Sequence, residues 1–168
     1  MLAFFVLIAG ALGTWWLLTP TLRFHRGFAS LIDSPQSRFG RTGRLRFGSW
    51  VTGRFQNRAV TLRIERPAEN VFGNVTLAMD VRAPDGAPWK DSAMTSNDPE
   101  LSRATFDLEG RYGLLLTLSG GSLRASFNSP PGVLFPGPFD EEQWRNTLRQ
   151  MHVVAEWLER PQVARSTT

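Results

Sequence analysis

The 168-residue sequence contains no cysteine, so disulfides, thiolate catalysis and cysteine-based zinc or iron–sulfur sites are all excluded. Histidine is nearly as scarce: His25 and His152 are the only two, too few and too far apart in sequence to look like a metal cluster. No Walker loop, GxGxxG, HExxH or EF-hand spacing occurs, so phosphate cradling and metal hydrolysis have no sequence support. There is no GxSxG elbow to supply an activated serine and no internal repeat. A single lysine stands against eighteen arginines, which is a bias of composition and not in itself a sign of phosphate recognition.

What is present is apolar and aromatic. Hydrophobic residues make up 42% and charged residues 20% of the chain, with six Trp and twelve Phe, enough to bury a sizeable core. A mass of 18.8 kDa fits one domain plus an extension. The net charge of +4 is unevenly placed. Residues 1–66 carry ten Arg against Asp33 and Glu65, a balance of +8, and the remainder is −4.

The stretch before that basic third explains it. Residues 1–19, MLAFFVLIAGALGTWWLLT, carry no charged side chain, and Pro20 ends the run. At 1.5 Å per residue a helix of this length spans about 28 Å, close to a hydrocarbon core of about 30 Å. A transmembrane anchor is expected. Trp15 and Trp16 fall where amphipathic rings favour the headgroup boundary, and Arg23, Phe24, Arg26 and Phe28 follow as further membrane-interface residues, the Arg on anionic lipid headgroups. Six Arg follow the run within about 27 residues and none precedes it, which by the positive-inside rule puts the C-terminal domain in the cytoplasm. A cleaved signal peptide competes through Ala9-Gly10-Ala11, but the n-region lacks Lys and Arg and the apolar run continues past that site. The small residues Ala9, Gly10, Ala11 and Gly13 allow close helix packing, although Gly and Ala are common in membrane helices anyway.

Residues 20–44 read as a basic juxtamembrane segment. Its first half, 21–33, has loosely helical spacing and is either an interfacial helix or one packed on the domain. Its second half, 34–44, is rich in Ser, Pro, Gly and Arg and predicts a linker. The soluble domain is expected over 45–160, with a disordered tail at 161–168. Alternating patterns predict strands around Ser49–Phe55, Ala59–Glu65 and Asn74–Arg82, with Gln56-Asn57-Arg58 as a hairpin connection. Ala83-Pro84-Asp85-Gly86 predicts a turn. Asp98 and Pro99 mark a helix start. Residues 107–118 are ambiguous, with a lean toward helix up to about Leu116; a strand follows at 122–128, and 129–138 is a Pro-rich loop. The last helix is the clearest, capped by Asp140, striped by Trp144, Leu148, Met151, Ala155 and Leu158, and stopped by Pro161. The fold class is therefore α+β: an N-terminal transmembrane helix, then an antiparallel sheet of four or five strands packed with about three helices.

No residues assemble into a catalytic or cofactor-binding pattern. His152 has only Glu156 within helical reach to orient it, and reads as a boundary histidine. His25 reads as interfacial. Glu141-Glu142 and Asp98 with Glu100 sit in first turns of helices, where the dipole favours acids. Asn74-Val75-Thr76 matches a glycosylation sequon in a strand. Trp50, Arg54, Phe55, Arg58 and Arg63 interleave aromatic and basic side chains, but the positive-inside bias explains the basic stretch without nucleic acid, and none is expected as a partner. An enzyme would need a polar pocket in which Asp80, Glu65 or His152 converge.

The order of anchor, basic linker, Gly-x-Phe-x-x-Arg-x-Val hairpin (Gly53, Phe55, Arg58, Val60), Ser-x-Asp-Pro helix start (Ser96, Asp98, Pro99) and final amphipathic helix resembles uncharacterised bacterial single-pass membrane proteins with a small α+β domain. The resemblance implies an inner-membrane protein and supplies no catalytic residues. The expectation is a non-enzymatic binding or scaffolding module, without cofactor, that holds a protein partner near the bilayer. The alternative is an exported domain binding a lipid or small ligand in an apolar cavity.

Overall fold

The computed structural model describes residues 25–43, 46–67, 74–82, 98–127 and 141–160. They form an α+β domain in which a six-stranded antiparallel sheet carries its helices on one face. The strands are β1 (Asp33–Gly43), β2 (Arg46–Phe55), β3 (Arg58–Pro67), β4 (Asn74–Asp80), β5 (Leu114–Ser119) and β6 (Ser122–Phe127), in the order β1-β2-β3-β4-β6-β5. The helices are α1 (residues 25–29), α2 (Pro99–Thr105), which runs into a π-helical turn over Phe106–Arg111, and α3 (Glu141–Glu159).

Alternation along the strands decides which face is covered. Val51, Leu62, Leu77, Ala125 and Leu116 stand side by side across five strands, and all are buried. Against them pack Trp144, Leu148, Met151 and Leu158 of α3, Leu101, Ala104 and Leu108 from α2 and its π turn, and Phe28 of α1. The space between sheet and helices is filled by side chains that are almost wholly excluded from water.

Two hairpins set the register. Gln56 and Asn57 have φ of 49° and 65°, and Gly120 and Gly121 have 59° and 66°. Two successive residues at positive φ match the right-handed twist of the flanking strands. Arg58, expected within the first connection, is instead the first residue of β3.

Several expectations are corrected. The sheet has six strands, not four or five. Residues 34–44 were expected to be a linker and the domain to begin at 45, but β1 occupies most of that stretch. β1 is an edge strand held by β2 alone, so it needs no alternating apolar face, and nearly all of its described side chains are exposed. Pro35 falls inside the register shift between Asp33 and Gln36, where its missing N–H takes no ladder bond away. Residues 107–118 do not stay helical to Leu116: the helical part ends at Arg111 and β5 begins at Leu114, after Gly113 at φ 64°. Phe28, expected at a membrane interface, is instead fully buried within the domain and meets the Trp144 ring edge-on at 5.5 Å. His25 is likewise buried, its Nε2 3.0 Å from Ser49 Oγ and its ring stacked on Phe39.

The strand readings for β2, β3, β4 and β6 agree with the structure, as does the α2 start, where Asp98 Oδ1 accepts from the amides of Glu100 and Leu101. Among the described residues no helix is long and apolar enough to cross a membrane. The expected anchor with Trp15, Trp16, Arg23 and Phe24, the turn at 83–86, the loop at 129–138, Asp140, Pro161 and the tail lie outside the described residues.

Candidate functional site

Three features hold the polar chemistry of the domain. The first is a cluster where the β2–β3 hairpin meets the end of α3. Arg58, at the start of β3, sends Nη1 and Nη2 to the two carboxylate oxygens of Glu159 at 2.7 and 2.8 Å, and Glu159 also accepts the Arg82 backbone amide at 2.8 Å. The hydrogen bond from Arg58 holds the Glu159 carboxyl down at about 2, against the opposing effect of burial, with the Arg82 amide adding to it. The same bond raises the Arg58 guanidinium.

His152 belongs to this cluster, and its hydrogen bonds fix its tautomer. Arg58 Nε donates to His152 Nδ1 at 3.2 Å, and a guanidinium has no lone pair to accept with. Nδ1 is therefore bare and the neutral ring carries its proton on Nε2, which lies 3.1 Å from Glu156 Oε1. Both ring nitrogens are engaged. Glu156 does orient the ring as the helical spacing predicts, while the Arg58 contact, 94 residues away in sequence, has no sequence signal. Asp80 and His152 line one small cleft of about 270 Å³ here. Glu65 pairs with Asn74 toward the other end of β3 and does not join them. Among the described residues no three His, Asp or Glu side chains gather as metal ligands.

The second feature is the sheet face that no described helix covers. Its central rows follow from the register: Arg38, Trp50, Arg63, Thr76, Ser126 and Leu115 in one, and Thr52, Thr61, Ala78, Arg124 and Thr117 in the next. Neither row contains a carboxylate. Arg38, Arg63 and Arg124 are exposed, and Arg54 is exposed at the end of β2. Trp50 is half-buried because its ring lies over Gly40 of β1, where a Cβ would stand 3.4 Å from it. The interleaved set of Trp50, Arg54, Phe55, Arg58 and Arg63 is thus split: Trp50, Arg54 and Arg63 share the open face, but Phe55 faces the His152 ring on the other side and Arg58 is tied to Glu159.

The third is a groove of about 660 Å³ between the π turn and α3. Its floor is a hydrogen-bond ladder: Asn146 Nδ2 donates to Tyr112 Oη at 2.7 Å and Gln150 Nε2 to Asp107 Oδ2 at 3.3 Å. Four arginines rim it. No sequence pattern announces this groove, since its two walls are some 40 residues apart and the π turn that shapes it has no sequence signature.

Arg26, expected at a membrane interface, is exposed on α1. Glu141 and Glu142 occupy the first turn of α3 and Glu100 that of α2, as the helix dipole favours. No family model matches the chain, and no curated protein or solved structure is significantly similar to it.

Proposed function

We propose that the chain is a membrane-tethered, non-enzymatic binding module whose open sheet face docks an acidic segment of a protein partner at the cytoplasmic face of a bacterial inner membrane. The observation that carries this reading is the pair of carboxylate-free rows bearing Arg38, Arg63 and Arg124 on a face left uncovered by the described helices. A flat, arginine-bearing sheet favours an anionic partner by charge complementarity. Tethering is supported by the uncharged run at residues 1–19, and the inward orientation by the arginines that follow it. The non-enzymatic reading is supported by His152 in the polar cleft having both ring nitrogens engaged, one by Arg58 and the other by Glu156. The alternative of a lipid or small ligand held in an apolar cavity has less support, because the layer between sheet and α3 is packed with buried side chains.

Photo-crosslinking amino acids at Thr61 and Thr117, in cells, test the docking face. The expected result is a discrete adduct through an acidic peptide, lost when Arg63 and Arg124 become Glu. Adducts that survive both charge reversals, or none at all, would overturn the assignment. A periplasmic alkaline phosphatase fused after Thr168 is expected to stay inactive, and an active fusion would reverse the orientation.

A further inference from the structure

We infer that the groove between the π turn and α3 is a binding site for a phosphomonoester dianion, distinct from the open sheet face and independent of its assignment. The groove exists because of the backbone. Residues five apart in an α-helix point about 140° away from each other, yet Asp107 and Tyr112 both reach side chains of α3. They do so because the turn between them is π-helical: the Tyr112 amide bonds to the Asp107 carbonyl at 3.1 Å, five residues back, so one wide turn brings the two onto the same face. Single π turns are uncommon and concentrate at functional sites. Here the wide turn aligns Asp107 with Gln150 and Tyr112 with Asn146, and the ladder fixes the floor of a groove large enough for a small-molecule ligand.

The rim gives the ligand its charge. Arg103 of α2, Arg111 of the π turn and Arg149 of α3 line the groove, and among the described residues none of the three is ion-paired. Arg111 is held over the Tyr112 ring at 5.8 Å, which positions it without neutralising it. The fourth, Arg145, is bonded to Glu141 at 2.7 Å. Set against Asp107 and Glu142, the lining carries two net positive charges. A phosphomonoester carries about −1.5 to −2 at neutral pH and offers three oxygens to guanidinium forks, whereas a carboxylate brings one charge and a phosphodiester one. The charge and geometry therefore match the monoester. The same chemistry comes from a soluble phosphorylated metabolite or from the headgroup of phosphatidic acid.

The test is calorimetric titration of the full chain in neutral dodecyl maltoside micelles with glycerol 3-phosphate, with water-soluble short-chain phosphatidic acid, and with dimethyl phosphate as the diester control. Saturable binding of at least one monoester is expected, with the diester at least about tenfold weaker. Arg103→Gln and Arg149→Gln should each weaken the monoester by about tenfold, the loss of one charge-assisted hydrogen bond, and Arg124→Gln on the open sheet face should leave it unchanged. Because these arginines are exposed, the variants should melt like the parent. Binding of glycerol 3-phosphate places the source among soluble metabolites, and binding of phosphatidic acid alone places it in the membrane. Saturation by neither monoester, equal affinity for the diester, or equal weakening by all three substitutions would overturn the proposal.

Discussion

The Arg58–Glu159 pair makes a quantitative prediction about acid stability. Glu159 accepts two bonds from Arg58 and one from the Arg82 amide, and its pKa falls from an ordinary 4.5 to about 2. A shift of this size corresponds to about 3 kcal/mol at 1.36 kcal/mol per unit. The side chain of Glu159 keeps a quarter of its surface in water and that of Arg58 16%, so solvent screening reduces the figure to about 2 kcal/mol. The folded state binds the proton less readily than the unfolded chain, so this stability is complete above the unfolded value of 4.5 and drains away as pH falls from 4.5 to about 2. Glu159→Gln should remove it, costing about 2 kcal/mol or somewhat more at pH 7 because Arg58 is left half-buried without its counter-charge. Urea unfolding of both proteins, followed by the fluorescence of the buried Trp144 and Trp157, should give curves that are separated at pH 7 and converge near pH 2. Curves that stay parallel across that window would refute the linkage.

Other substitutions probe the remaining joints of the fold. Burial pushes the Asp98 carboxyl up, but the Leu101 and Glu100 amides and Arg160 outweigh it and hold it below its usual range; Asp98→Ala should cost about 1–2 kcal/mol in urea unfolding, and Asp98→Asn, which keeps the cap, clearly less. At Gly53 a Cβ would stand 2.7 Å from both the Asp33 carbonyl oxygen and Ile32 Cδ1, so Gly53→Ala should cost about 1–3 kcal/mol and lower the melting temperature. Gln56→Asn combined with Asn57→Gly suits the two positive-φ positions and should raise stability by about 1 kcal/mol in the same assay. Burial lowers the His25 pKa below 6.5, so the unfolded chain takes up the proton first and stability should decline as pH falls below 6.5; a His25→Gln variant should show a shallower decline of urea midpoint between pH 7 and pH 5.

How legible each element was depends on how much of it is buried on one side only. β3 and β4 alternate cleanly, Val60, Leu62 and Ile64 facing Val75, Leu77 and Met79 across the ladder, because one face of each is core and the other meets solvent. The α2 cap is equally plain, since Asp98 and Pro99 act within three residues of themselves. β1 was hidden because an edge strand without a buried face leaves no pattern, and its backbone bonds are supplied by β2. β5 was hidden for the opposite reason: Leu114, Leu115, Leu116 and Leu118 are apolar on both faces, and a short run of that kind suits helix or strand equally. Leu115 stays 48% exposed, and the Leu116 amide is satisfied by Glu109 Oε1 at 3.2 Å, a side chain that shields the outer edge of the sheet. The candidate sites were least legible of all. Arg58 with Glu159, and Tyr112 with Asn146, join segments that only the tertiary fold brings together.

The uneven charge of the sequence takes on a different meaning once these positions are known. Read linearly, the +8 of residues 1–66 describes a basic stretch behind the uncharged run at residues 1–19. In the folded domain three of its ten arginines, Arg38, Arg54 and Arg63, lie on the open sheet face beside Arg124 from the acidic remainder, and Arg58 is neutralised by Glu159. The −4 remainder is no more uniform. It places Arg103, Arg111 and Arg149 around one groove while spending Glu159, Glu156 and Asp98 on Arg58, His152 and Arg160. Glu159 and Asp98 are tied into the joints between elements, while exposed arginines gather on two surfaces. That segregation gives the domain two surfaces suited to anions.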